Sequence, residues 1–347
     1  MFELWYAIAA VMLVAYVVLD GYDFGAGIVH LFVARNNEER RQVLAAIGPY
    51  WDGNEVWLLA AGGALFVAFP RVLSAGISGF YFAIFLVLWS LILRGIAIEF
   101  RSHVADTMWR AVWDTVFGGA SLLLALLFGT ALGNLVRGVP LNEAGWFTLP
   151  LFTDFTPRGA VGILDWYTVA AGLLAVVGLG AHGAMFLFWR TDGMVQQRAR
   201  LAAKRLFLLA EVLWVLLFLG THWLNDVLSV LAARPLGWLG VAMAIGGIVA
   251  VHYGLGRGYE LVPFLGSCGF LAGTLVATAA CLFPVMLKSI GDPALSITAY
   301  SGGGDVAGLR MALGWFAVGL PLVVGYFVMN FRLHRGKAVA ARDGEGY

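Results

Sequence analysis

Charge is what this sequence has least of. Asp, Glu, Lys and Arg make up 12% of its 347 residues, about half of the roughly 25% found in soluble domains. Apolar residues fill the gap at 61%, and the mean hydropathy is +0.85. That balance excludes an ordinary water-exposed domain. The net charge is +1, and no basic cluster is dense enough to track phosphates, so nucleic acid is not an expected partner. Cysteine is nearly absent. Cys268 and Cys281 share one apolar segment, about 20 Å apart along a continuous helix, too far for a disulfide. There is no C-x-x-C pair and no zinc, phosphate-loop or hydrolase motif, so no metal site is expected. The first ten residues hold Glu3 and no basic residue. They lack a secretory-signal profile, and the first apolar run is expected to stay in the protein as a span.

A membrane helix needs about 20 apolar residues. Runs of that kind, bounded by turn and charge signals, predict nine spans near residues 4–32, 54–72, 77–99, 111–135, 161–189, 204–224, 236–256, 261–286 and 308–331. The longer connections are 33–53, 136–160 and 287–308. With the N-terminus outside, 15 of the 22 lysines and arginines fall on the inner side. Arg71, Arg137, Arg158, Arg234, Lys288 and Arg310 fall outside, and Arg94 lies within a span. By the positive-inside rule the N-terminus is therefore periplasmic and the C-terminus cytoplasmic. The first and fifth spans both end in an aromatic-aliphatic stretch closed by an arginine (Arg35, Arg190) and followed by an Arg-rich inner loop. This echo suggests a pseudo-repeat of residues 1–135 and 161–286. The expected fold is an all-α integral membrane protein, two four-helix bundles plus one additional helix.

Ionisable groups inside such a protein need a reason, because a charge at the bilayer centre costs about 2.5–3.5 kcal/mol on insertion scales. Asp20 and Asp23 sit in the inner half of the first span, at i, i+3 on one helix face. Asp52 and Glu55 open the second span, Arg94 and Glu99 end the third, and Asp114 begins the fourth. All fall toward the cytoplasmic side. Asp52-x-x-Glu55 is also a capping-box pattern, which alone would account for both. Arg94 with Asp23 or Asp114 is expected to be a structural ion pair pinning helices together. Asp20 has no evident cationic partner in the sequence, which makes a proton-handling role attractive there.

Gly21 and Gly25 form a G-x-x-x-G face, and Gly62 and Gly63 a small-residue patch; helix contact is the expected use of both. His30, His182 and His252 lie in or at spans, where an inward histidine could ligate haem. Their spacing does not demand it, and hydrogen bonding to a neighbouring helix is the expected role.

The motifs themselves resemble a known family. LDGYDFG (19–25) and IGPYWDGNEVWLLAAGGALFVAFP (47–70) are similar to the opening of subunit II of cytochrome bd-type quinol oxidases. SGFY (78–81), LILRGIAIEFRS (91–102), GNLVRGVP (133–140), GILDWYTV (162–169), HGAMFLFWRTDG (182–193), LFP (282–284) and PLVVGYFVMNF (321–331) continue it in order. The resemblance implies a multi-pass protein of the bacterial inner membrane, in a heterodimer that oxidises quinol and reduces O2 to water. Two b-type haems and one d-type haem are then expected on subunit I, with none ligated by this chain. The resemblance leaves room for small accessory subunits, a bound structural quinone and lipid. Carried over by position, Asp20 and Asp52 resemble the family's proton-entry route, and Asp23, Arg94 and Asp114 its intramembrane ionic cluster. Trp57 resembles a channel residue, with Glu55 and Glu99 at helix ends beside it. Two rivals come from other classes. One is a secondary transporter with buried carboxylates, although the acids lie off-centre and no mid-bilayer substrate site is visible. The other is a purely structural scaffold, which leaves Asp20 and Asp52 unexplained. Colour discriminates, since a co-purified haem partner marks the oxidase.

Overall fold

The computed structural model describes residues 1–340. Arg342, counted above among the inner cations, lies outside the described residues. Helices dominate because hydrocarbon offers the backbone no hydrogen bonds and a spanning segment must satisfy its own. In order they are α1 (Phe2–Val33), α2 (Asn37–Ile47), α3 (Trp51–Ala68), α4 (Pro70–Gly79), α5 (Tyr81–Phe100), α6 (Thr107–Arg137), α7 (Trp166–Arg190), α8 (Gly193–Asn225), α9 (Val227–Ala232), α10 (Pro235–Arg257) and α11 (Leu261–Leu282). A short antiparallel hairpin, β1 (Val285–Leu287) and β2 (Ile297–Thr298), precedes α12 (Val306–Leu333).

The helix ends carry local signals. Asn36 caps α2 by accepting from the Glu39 amide at 2.9 Å, and Asp106 caps α6 through the Trp109 amide. Asp165 and Thr168 form a capping box at the start of α7. Such a cap is worth about 0.5–2 kcal/mol. Gly138 and Gly258 follow α6 and α10 with φ of +104° and +78°, which an L side chain rarely adopts.

Among the described residues, seven helices are long and apolar enough to cross a membrane, or up to eight if α3 and α4 together form one bent span. The sequence reading expected nine. Its second span ran through Pro70, but the chain breaks at Phe69 and α4 leaves α3 at 119°. Proline at the first position of α4 starts that helix in a new direction, since its ring cannot continue the α3 hydrogen-bond ladder. The sixth expected span is the second half of α8, whose first half is Arg- and Lys-rich.

α1 is the hub, packed against α3, α6, α7 and α11, and its buried stretch runs almost unbroken from Asp20 to Gly27. Its crossing with α7 is backbone against backbone. A Cβ added to Gly25 would stand 1.9 Å from the Leu179 carbonyl oxygen, and one added to Gly183 would stand 2.1 Å from the Gly25 carbonyl carbon. Without a hydrophobic force between helices in lipid, such close approach is what holds them. α10 and α11 pack equally closely, Gly247 lying against the Gly266 carbonyl. The helix-contact expectation holds for Gly21 and Gly25, both of which meet α7, while Gly62 and Gly63 meet none of the described residues of this chain.

Candidate functional site

The acids singled out in the sequence converge on the first bundle, in two separate groups. The first is built around Arg94 of α5. Its guanidinium donates to both carboxylate oxygens of Asp20 on α1, at 2.6 and 3.3 Å. It also stands 3.5 Å from Glu55 on α3 and 4.5 Å over the Phe24 ring. Arg94 and Asp20 are both fully buried. This corrects the expected pairing: Arg94 bonds Asp20, the residue for which no cation was foreseen, rather than Asp23 or Asp114. Both planar groups face each other with two oxygens and two nitrogens engaged, the arrangement that makes an Arg–carboxylate pair strong in low dielectric.

Asp23, three residues on from Asp20 and equally buried, takes a hydrogen bond from the Asn54 amide at 2.8 Å. Asn54 donates as well to the Tyr22 hydroxyl at 2.7 Å and to the Leu19 carbonyl at 3.3 Å. The side chain of Asn54 thus stitches α3 to α1 beside the Arg94 pair. Sequence reasoning passed over it, although a neutral amide between Asp52 and Glu55 in an apolar segment was a signal.

Asp114 anchors the second group, at the opening of α6. Its carboxylate accepts from Arg101 at 2.5 and 3.1 Å, from Arg40 at 2.8 Å, and lies 2.7 Å from His30 Nε2. Arg101 reaches on to Asn37 of α2 at 3.1 Å. One buried carboxylate therefore ties together the ends of α1, α2, α5 and α6. The grouping of Asp114 with Arg94 was incorrect: the start of α6 meets the end of α5, beside Arg101, whereas Arg94 lies two turns further back along α5.

The remaining site residues are arranged by depth. Asp52 is exposed in the first turn of α3, whose N-cap position is Tyr50. No side chain caps this helix, so the capping-box explanation of Asp52 and Glu55 does not hold. Glu55 lies one turn further in, on the same face as Asp52, with its side chain 21% exposed. Asp20 then lies beyond it at 0%. Trp57 is part-buried against Phe327 of α12, ring centroids 5.9 Å apart, with its indole nitrogen unpartnered. Glu99 is part-buried and, among the described residues, enters neither ionic group.

The span histidines are engaged with neighbouring helices. His182 uses both ring nitrogens, on the Ser267 hydroxyl at 2.7 Å and the Val18 carbonyl at 2.9 Å. His252 lies 2.7 Å from Glu211. His30 meets Asp114 through Nε2, and its Nδ1 has no partner. An iron needs an open ring nitrogen, so His182 does not fit a haem, and His30 would have to present Nδ1 from within its packing against Phe117. Among the described residues no three His, Cys, Asp or Glu gather as for a metal ion.

Comparison with known proteins agrees with this architecture. Residues 1–334 match the family described as cytochrome bd terminal oxidase subunit II. The cytochrome bd-I ubiquinol oxidase subunit 2 of Escherichia coli K12 is 39% identical over 201 residues, 58% of this chain and 52% of that protein. The cytochrome bd ubiquinol oxidase subunit 2 of Bacillus subtilis is 36% identical over 205 residues, 59% of this chain and 58% of that protein. These matched stretches span only about half the length of either relative. A probable cytochrome oxidase subunit 2 of Haemophilus influenzae is 28% identical across 94% of this chain and 92% of its own length. In the solved structure of bd oxidase from Geobacillus thermodenitrificans, one chain shares the fold with a TM-score of 0.73 at 18% identity, covering 96% of this chain and 98% of that one. With helices of this length and hydropathy and a family match over nearly its whole length, the chain belongs to the cytochrome bd terminal oxidase subunit II family, multi-pass proteins of the bacterial inner membrane.

Proposed function

We propose that this chain is the second subunit of a quinol oxidase complex that reduces O2 to water, and that it steadies a haem-bearing partner and delivers protons toward it. The two b-type haems and the d-type haem belong to that partner, subunit I, which also takes the quinol. The engagement of both His182 ring nitrogens with neighbouring helices supports this division. In the proposed orientation the N-terminus is periplasmic and the acids open toward the cytoplasm.

The observation that carries the reading is the graded file Asp52, Glu55, Asp20, which runs from an exposed carboxylate to a fully buried one on two contacting helices. A proton loaded at Asp52 passes to Glu55 on the same helix face. It reaches the Asp20 region through the oxygens gathered at Arg94. Arg94 keeps its charge throughout, since a guanidinium does not deprotonate in proteins, and so holds the carboxylates in place without consuming the proton. Asp23 and Asn54 fix the α1–α3 seam beside the file, and Asp114 with Arg101, Arg40 and His30 clamps the helix ends around it. Trp57, on the α12 side of α3, flanks the route. In the pseudo-repeat of residues 1–135 and 161–286, α1 and α7, which cross at Gly25 and Gly183, are the corresponding first helices of the two halves.

The test is Asp52→Asn, which keeps the shape and cannot carry a proton. The purified variant should hold its full set of haem bands and lose most quinol oxidation. Glu55→Gln should do the same. An Asp52→Asn complex that consumes O2 at the parent rate would remove Asp52 from the route.

A further inference from the structure

The end of the bundle away from the acids carries a cleft that the proton route does not use. It has a volume of about 320 Å³ and lies where α6 ends, α7 begins and α8 ends, bounded by the segment after β1. Arg137, Asp165, Trp166, Asn225, Lys288 and Ser289 line it.

Their hydrogen bonds are unevenly spent. Arg137 spends four of its five donors, on the Asp165 carboxylate, on Asn134 and on the carbonyls of Gly138 and Gly162. Lys288 gives one bond, to the neutral side-chain carbonyl of Asn225, whose amide is in turn fixed on the Val136 carbonyl at 2.9 Å. No carboxylate among the described residues pairs with Lys288, and desolvation lowers its pKa from the ordinary lysine value. Ser289 is 4% exposed and its hydroxyl has no hydrogen-bond partner. The cleft thus presents an uncompensated ammonium and a free buried hydroxyl, the donors that an anionic oxygen takes up.

The rim is of a different kind. Trp166 packs on Trp223 of α8 with ring centroids 5.9 Å apart, and Trp223 is half exposed. Tryptophan at helix ends belongs to the membrane–water boundary. A ligand matching both walls has an anionic head and an apolar tail. We propose that this cleft binds the phosphoryl headgroup of an anionic phospholipid, with Lys288 and Ser289 donating to the phosphoryl oxygens and the acyl chains leaving past Trp166 and Trp223.

The experiment uses the full chain, purified with whatever assembles on it and stripped of lipid in detergent. Phosphatidylglycerol, phosphatidylcholine and inorganic phosphate are added separately, and melting temperature and retained lipid by native mass spectrometry are read. Phosphatidylglycerol should raise the melting temperature and stay bound, while the other two should not. Lys288→Gln should weaken retention about tenfold, the loss of one charge-assisted hydrogen bond, and Lys288→Arg should preserve it. Should Lys288→Gln fail to accumulate, Ser289→Ala removes a single small hydroxyl and should still lower retention. Equal retention by Ser289→Ala and Lys288→Gln and the parent would overturn the site. Equal protection by phosphatidylcholine, or by inorganic phosphate, would overturn the anionic lipid as its occupant.

Discussion

Among the described residues Arg94 is the single cation of a site holding three acids, and its removal has a cost the geometry sets. Arg94 and Asp20 are fully shielded, and Glu55 is the second carboxylate on the same guanidinium. Breaking a buried pair by deleting one partner costs about 3–5 kcal/mol, because the other charge is left uncompensated. That is a large part of the roughly 5–15 kcal/mol by which a folded protein is stable. The two partners are not equivalent. Arg94→Gln leaves Asp20, Asp23 and Glu55 together with no cation, and should fall at the upper end of that range. Asp20→Asn leaves Arg94 still facing Glu55, and should fall at the lower end. The double variant Arg94→Leu with Asp20→Leu removes both buried charges and should recover much of the loss, since apolar replacement of a buried pair is often neutral. The assay is the amount of tagged chain in the membrane and the melting temperature of the purified complex, with O2 consumption per assembled complex alongside. Arg94→Gln should lower assembly more than turnover. An Arg94→Gln complex that assembles at the parent level yet is inactive would refute the structural role, and a double variant no better than the single would refute the charge argument.

The remaining predictions concern other parts of the frame. Gly25→Leu should abolish accumulation of the chain, since even a Cβ meets the Leu179 carbonyl oxygen at 1.9 Å, whereas Gly62→Ala, with open space around it, should accumulate normally in the same immunoblot. His182→Ala cuts the links to Ser267 and Val18 and should lower the melting temperature while leaving every haem band in the complex; loss of one band would show a misassigned ligand. Reporter fusions after Gly193 and Lys337 should read as cytoplasmic and one at Asn142 as periplasmic, the opposite pattern reversing the entry side of the proton file. Arg198 holds the Glu39 carboxyl below its usual range by a hydrogen bond at 2.7 Å. That contact contributes stability above the ordinary carboxylate range and loses it as pH falls through the depressed value. Hydrogen exchange in α2 should therefore rise in acid, and a Glu39→Gln variant should show the faster exchange already at neutral pH.

What the sequence made legible and what it hid divide along a physical line. Hydropathy and charge counts depend on composition along one axis, so the spans, the acid-rich end and the bias of lysine and arginine could be read directly. Side-chain partners depend on how each helix is rotated about its axis and how deeply it sits, and no one-dimensional pattern carries that. Arg94 and Arg101 are seven residues apart, two turns of the same helix face, and only Arg94 was expected beside Asp114. Depth decides between them: α6 starts at the helix end where Arg101 lies, so Asp114 takes Arg101, and Arg94, deeper by two turns, meets Asp20 instead. The break at Phe69 was hidden for a related reason, because an apolar stretch that turns through 119° has the same hydropathy as one that runs straight. Asp52 and Glu55 show the converse. Their spacing matched a cap, but α3 begins one residue before Asp52, so the carboxylates stand inside the first turns and point along one face. Two acids with no capping duty, on the face that leads to a buried third, need some other reason to be there. The cost of placing charge in a membrane makes that reason functional by default, and proton delivery is the reading that uses all three acids in order of depth.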